Sequence, residues 1–402
     1  MIVATLGMGG LLVVRAHTRN IDSYARTAAA REYALSAIEL GLQEIASNLY
    51  WRAIHKNDVG GIWYNDKTIG VGTYSLKVVS PSGPLDNSPF DPVVLIATGK
   101  VNNGIELQQV EVTLVPQTTP FTCLQTAETA SSTLSLGTTV IQAFNQIIAT
   151  NASMTTLGGG PKVWAHVQAV GTIPANTFYQ EKTQLAPART MPDPATVFDF
   201  YVSKGTAISY SSIPGGIMDG VLLSPMSNPY GATNPQGIYV IDCAGSDIFI
   251  QKCRIVGTLV LLNTPAAATS TLSTQNYLAP AVPNYPALMV KGGFNFQPAS
   301  TSFTEPVNFN PPGTPYPYPS GVTNNTVTDI YPNRIDGLIY VNGNLLTQGV
   351  CTMGQLIVDG TISHQNGTVT LTTNPLYFNN PPPGFCSIKM VPSSGSWMQT
   401  TN

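Results

Sequence analysis

The chain has 402 residues, enough for more than one core at about 100–200 residues per domain, and carries a formal net charge of −3. Only 10% of its residues are charged, against a usual value of about 25%, while 43% are hydrophobic, so Thr, Asn, Ser and Gln do much of the solvating, as in secreted β-rich surfaces. This balance excludes a general basic footprint for nucleic acid, and the 36 glycines and 32 prolines stay below the roughly 25–30% share that marks low complexity.

Residues Met1–Val14 are uncharged and apolar and end at Arg15, with His17 and Arg19 close behind. At 1.5 Å per residue they reach about 21 Å, short of the roughly 30 Å core of a bilayer. The run has neither the basic n-region nor the cleavage site of a secretory signal peptide. Gly7, Gly9 and Gly10 are costly in a lone soluble helix but let apolar helices approach one another closely. From Ile21 onward the apolar positions Ile21, Tyr24, Ala28, Leu35, Ile38, Leu42, Ile45 and Leu49 recur in steps of three, four or seven, which predicts one helical stripe facing a sheet. Proline is absent, so a single helix over Ile2–Tyr50 is expected, the alternative being two helices divided near His17–Asn20. Gly60-Gly61 ends the helical region.

Strand signals follow. Gly72–Val79 alternates, Pro81–Pro92 is rich in turn residues, Val93–Val101 is a second run, Asn102-Asn103-Gly104 is a hairpin signal, and Ile105–Val115 is a third. Three antiparallel strands after one long helix give that helix a sheet to pack on. Pro116 closes the unit.

An apolar helical head running into AREYALSAIELGLQEI, then GTYSLKVV and VVLIATGKVNNGIELQQVEVTLV, resembles the type IV pilin-like proteins, most nearly their large minor pilins and the pseudopilins of type II secretion. The resemblance covers residues 1–116. It implies a structural subunit held at the inner membrane before assembly and then packed, through Leu6, Met8, Leu11, Leu12 and Val14, with copies of itself or other pilin-like subunits in a helical filament at the cell surface. Two features depart from the family pattern. The acidic residue usual at the fifth mature position is absent if Met1 is the mature start, because Thr5 stands there. The apolar segment is also short and no prepilin leader precedes it. Both are expected of a chain that begins inside the true helix.

Beyond residue 117 the composition shifts. Thr118–Thr150 is rich in Thr, Ser and Ala, with a strand expected around Thr139–Phe144; Lys162–Val170 alternates with Val163, Ala165, Val167 and Ala169 on one face; Val197–Ser212 reads as a short helix or a strand. Short β runs then recur at Ile238–Asp242, Ile248–Ile250, Arg254–Leu262, Ala287–Lys291, Leu338–Val341, Leu345–Thr347, Gln355–Val358 and Thr368–Thr372. Their turn-punctuated spacing predicts a parallel β-helix or related solenoid, with a β-sandwich as the alternative. The expected fold class is therefore α+β: a long N-terminal helix on a small antiparallel sheet, followed by an all-β domain. The expected divisions are 1–20 for the apolar segment, 21–116 for helix and meander, and 117–402 for the β domain with its proline-rich inserts.

No catalytic constellation stands out, and neither a cofactor nor a metal site is expected. The five cysteines form no CxxC and the four histidines are scattered. Cys243–Cys253 and Cys351–Cys386 are the first pairs to consider as disulfides in an oxidising compartment, beside the reading of each as a small buried apolar residue. Asp242 and Asp247 flank a strand-turn-strand, as paired carboxylates would in a polysaccharide-active enzyme or as turn residues do in any β protein. Gly158-Gly159-Gly160 runs into Pro161 and a strand, so no helix start is on hand for a phosphate. His166 lies opposite the apolar face of its strand. Asn151, Asn324 and Asn366 open glycosylation-type triplets. Tyr316, Tyr318 and Tyr331, in or near a proline-rich insert, are candidates for contact with a surface glycan or protein ligand, or for covering the side of the β domain.

Overall fold

The computed structural model describes residues 2–101, 106–175, 178–313 and 323–401. The chain forms two compact units, the first comprising residues 1–119 and 388–402, the second residues 120–387.

In the first unit, helix α1 runs without a break over Ile2–Ser47, passing straight through His17–Asn20. Its 46 residues measure about 69 Å. A short helix α2, Trp51–His55, and four strands follow: β1, Ile62–Ile69; β2, Gly72–Val79; β3, Val93–Val101; and β4, Glu106–Pro120. β1–β2, β2–β3 and β3–β4 all pair antiparallel, with Leu76 opposite Ala97 and Ala97 opposite Val110. The sheet is wider than the three strands expected from sequence. β1 adds an outer edge, and the C-terminal segments Cys386–Pro392 and Met398–Thr401 return to lie against β4.

Strand alternation decides which face meets the helix. On β3, Val93, Leu95, Ala97, Gly99 and Val101 point inward, and Leu76 and Val78 of β2 and Val110, Val112 and Leu114 of β4 extend the same surface. The inward residues shrink from Leu95 through Ala97 to Gly99, and the facing helix residues shrink from Ile38 through Ala34 to Ala30. A methyl group added at Gly99 would overlap the backbone carbonyl of Ala30, so helix and strand touch main chain to main chain there. Arg52 locks the turn-rich connection after β2, donating to the carbonyls of Leu85 at 2.9 Å and Asp91 at 2.5 Å. Burial pushes its guanidinium down to about 10, with the Asp91 carboxylate opposing that shift.

The second unit is built on parallel pairing. Register carries one column from Val240 to Val260, Met289, Tyr340, Ile357, Thr129, Ala149, Gln168 and Thr183. The first five positions of that column are covered by Leu124, Val197, Phe198, Tyr201, Tyr377 and Phe385, while the neighbouring residues Ile241, Leu261, Val290, Val341 and Val358 fill the opposite core. Both faces of these strands are therefore buried, which is why they read as continuous apolar runs rather than alternating ones.

The fold-class expectation is corrected here. Strand accounts for 45% of the chain and helix for 18%, so the protein is mostly β with one long helix rather than α+β. The β domain is not clearly the solenoid expected, nor the sandwich: among the described residues it holds a 20-stranded sheet and a two-stranded one, and the chain includes a closed barrel of four strands. The order of its strands explains the difference. β5 (Glu128–Ala130), β6 (Leu134–Thr150), β7 (Met154–Thr156), β8 (Lys162–Ala169) and β9 (Lys182–Gln184) do not precede the later strands in space. β5 and β6 instead join Val350–Val358 and Ile362–Leu371, near the chain's end. The segment Val197–Ser212 resolves into both readings, a helix at Asp199–Lys204 and a strand at Thr206–Ile208.

Candidate functional site

The apolar head of α1 carries a contiguous run of exposed hydrophobic residues, Leu11–Val14. Leu11, Leu12 and Val14 are 71%, 67% and 62% exposed, and Val13 between them is equally open. Leu6 and Met8 fall among residues whose side chains are not described. Soluble proteins seldom leave contiguous apolar surface uncovered without a partner for it. Among the described residues, no helix is long and apolar enough to cross a membrane.

The expected helix-to-sheet stripe divides. Ile38 is fully buried, and Leu35, Leu42 and Ile45 pack at the margin of the core, whereas Ile21, Tyr24, Ala28 and Leu49 are exposed. The side chains that seat the helix are smaller: Ala30, Ala34 and Ala37, together with Gly41, where an added methyl would press on Leu76. Their steps of four, three and four were visible in AREYALSAIELG, but a search weighted toward large apolar residues passes over them.

None of the expected disulfides is present. All five cysteines are free and buried. The Cys253 thiol donates to the carbonyls of Gln251 and Met218, and that of Cys351 to Gln348, as small core residues with weak donors do. Among the described residues, no group of three or more His, Cys, Asp or Glu side chains comes together as a metal site.

The remaining candidates take structural places. Asp242 accepts hydrogen bonds from Asn263 and from the backbone of Ala244, both at 2.9 Å; the Asn263 contact, then the backbone one, holds its carboxyl below the ordinary range. Asp247 accepts from Thr269. Asn151 is engaged at both amide atoms with the backbone of Arg189, and Asn324 with Asp329 and Thr326. Asn366 accepts from the backbone of Gly349 at 3.1 Å. Tyr316 and Tyr318 lie outside the described residues. Of the two readings open for Tyr331, contact with a ligand or covering the side of the β domain, the structure shows it fully buried against Phe303, Phe309 and Tyr277. The reason is Arg254, itself buried: it donates to the carbonyl of Phe309 and to Asn310, and Glu305 accepts from the Phe309 amide at 2.7 Å, so the insert is clasped onto the sheet with Tyr331 beneath it.

Two clusters escaped the sequence. In the core of the second unit, His364 Nε2 lies 2.7 Å from Glu128 Oε1 and His364 Nδ1 lies 2.6 Å from Thr347 Oγ1, with all three side chains fully buried. Its order resembles a catalytic relay, but all three side chains are sealed in the core, where they tie β5 to the segments Leu345–Thr347 and Ile362–Leu371. The second cluster is an outward-facing set of aromatics on β6, β8 and the segment before β9.

No protein-family model matches the chain, and a comparison with curated proteins finds no match. Among solved structures the chain is similar to the competence-associated pilin ComZ from Thermus thermophilus, at 10% identity and a TM-score of 0.33, covering 94% of this chain and 98% of that chain.

Proposed function

We propose that the chain is a structural subunit of a type IV pilus-like filament at the cell surface, assembled through the apolar head of α1 and displaying the β-rich second unit. The observation that carries this reading is the contrast along one helix: its C-terminal half is seated on a sheet by Ala30, Ala34, Ala37 and Ile38, while Leu11, Leu12, Val13 and Val14 stand exposed on the same continuous rod. Full burial of each such leucine or valine between subunits is worth roughly 1.5–3 kcal/mol, so a few of them suffice to drive association. Copies of this chain or other pilin-like subunits are the partners by this reading, and the inner membrane holds the chain beforehand.

Replacing Leu11 with Asp tests it. The variant is expected to fold with unchanged secondary structure but to vanish from the filament fraction sheared off cells. Normal amounts in that fraction would reject the assembly role of the helix head.

A further inference from the structure

The outer wall of the second unit carries three neighbouring aromatic rings, two exposed and one, Trp164, half-buried, that the filament reading does not use. Trp164 of β8 and Tyr179 stack face to face, with centroids 3.8 Å apart and planes 8° from parallel. The Phe144 ring of β6 lies 5.7 Å from that of Trp164, its plane tilted by 41°. Phe144 and Tyr179 are 55% and 43% exposed.

Local backbone geometry places these rings. β6 pairs with β8 in parallel, Gln142 opposite Trp164 and Ile147 opposite His166, so β6 spends Ala143–Gln146 where β8 has Ala165 alone. This is an extended bulge, a device that re-aims side chains at functional edges. Asn145 holds its tip in a left-handed conformation, φ 58°. Its backbone amide donates to Gln180 Oε1 at 3.2 Å and its Oδ1 accepts from Gln180 Nε2 at 3.3 Å, so the bulge is braced against the segment that bears Tyr179. Alongside, His166 Nδ1 stands 3.7 Å from Glu181 Oε2, too far for a hydrogen bond.

We propose that Phe144, Trp164 and Tyr179, with Asn145, Gln180, His166 and Glu181 at their edge, form a binding site for a neutral oligosaccharide. A pyranose ring offers an apolar C–H face for stacking and hydroxyls that both donate and accept; the wall offers aromatic faces beside an amide pair, an imidazole and a carboxylate. A peptide strand is disfavoured, because the backbone of β8 is already paired on both sides, with β6 through Val163–Ile141 and with the next segment through Val163–Phe178. Single-stranded nucleic acid would also stack, but a chain with a formal net charge of −3 offers no general basic footprint for its phosphates.

The test is calorimetric titration of the full chain with maltohexaose, cellohexaose, chitohexaose and a thymidine oligonucleotide, on the native protein and on Trp164→Ala, Trp164→Phe and Phe144→Ala. At least one of the three sugars should bind the native chain, Trp164→Ala should weaken it about tenfold or more, and Trp164→Phe should restore most of the loss. Phe144→Ala, altering a side chain on an exposed bulge, decides the matter if Trp164→Ala fails to fold. No binding to any of the three sugars, binding of the oligonucleotide alone, or sugar binding unchanged in both alanine variants would overturn the proposal.

Discussion

Gly99 and Ala30 meet with no side chain between them: the Cα of the strand residue faces the carbonyl oxygen of the helix residue so closely that a Cβ at Gly99 has no room. The seat of α1 on its sheet is therefore set by smallness. Gly99→Val is expected to lower the stability of the first unit by about 3 kcal/mol or more, since backbone rather than a flexible side chain must give way. Gly10→Ala has nothing within 4 Å of the new methyl and should be neutral or stabilising by up to about 1 kcal/mol. Chemical denaturation of both variants checks the contrast, and equal effects would contradict it.

His364 and Glu128 join residues far apart in the chain inside the second core. Removing one member leaves the other buried without its partner, so Glu128→Ala should cost about 3–5 kcal/mol, whereas replacing both with leucine should cost less than that single change. Urea unfolding monitored by near-ultraviolet circular dichroism distinguishes the two. A Glu128→Ala variant within about 1 kcal/mol of the native protein would show that this pair does not hold β5 to the later strands.

Burial pushes the thiols of Cys123, Cys243, Cys253 and Cys351 up to about 12, and that of Cys386 up to about 11, from an ordinary value of 9.0. Below pH 9 these thiols are protonated in folded and unfolded chains alike, and their contribution to stability is complete. As pH rises from 9 toward about 12 the unfolded chain ionises first, so stability falls with pH in that window. At neutral pH the native protein should resist iodoacetamide at all five positions and label at all five in denaturant. Native labelling at any one of them would contradict the buried assignment.

Glu305 ties the proline-rich insert to Arg254 through the Phe309 backbone, and its other carboxylate oxygen accepts from the Asp329 amide at 3.3 Å. Glu305→Ala should leave the sheet intact but open the insert, read as faster limited proteolysis between residues 305 and 330. Unchanged cleavage kinetics would show that Phe303, Phe309 and Tyr331 hold the insert without it.

The sequence made the long helix legible through its missing prolines, and the strand at Lys162–Val170 through strict alternation. It hid what depends on partners distant in the chain. Ile357 pairs with Thr129 in parallel, and nothing local to either segment records that pairing of an early strand with a late one. The helix seat is legible in part: Ile38 is buried and Leu35, Leu42 and Ile45 pack against the core, but hydrophobic periodicity also favours Ile21, Tyr24 and Leu49, where close approach selects Ala30, Ala34 and Gly41. Tyr331 shows the same limit for composition, because its proline-rich surroundings suggest an exposed loop, and only the buried Arg254 draws it inward. The Phe144–Trp164–Tyr179 wall was unreadable for want of register, which brings Trp164 beside a bulge about twenty residues earlier.

Electron cryomicroscopy of filaments sheared from cells that carry this chain tests the central claim most directly. The account predicts filaments that contain it, with the α1 segment at residues 11–14 packed against neighbouring helices in the filament interior. Filaments that lack the chain, or a chain found only as monomers with Leu11, Leu12 and Val14 still open to solvent, would contradict it.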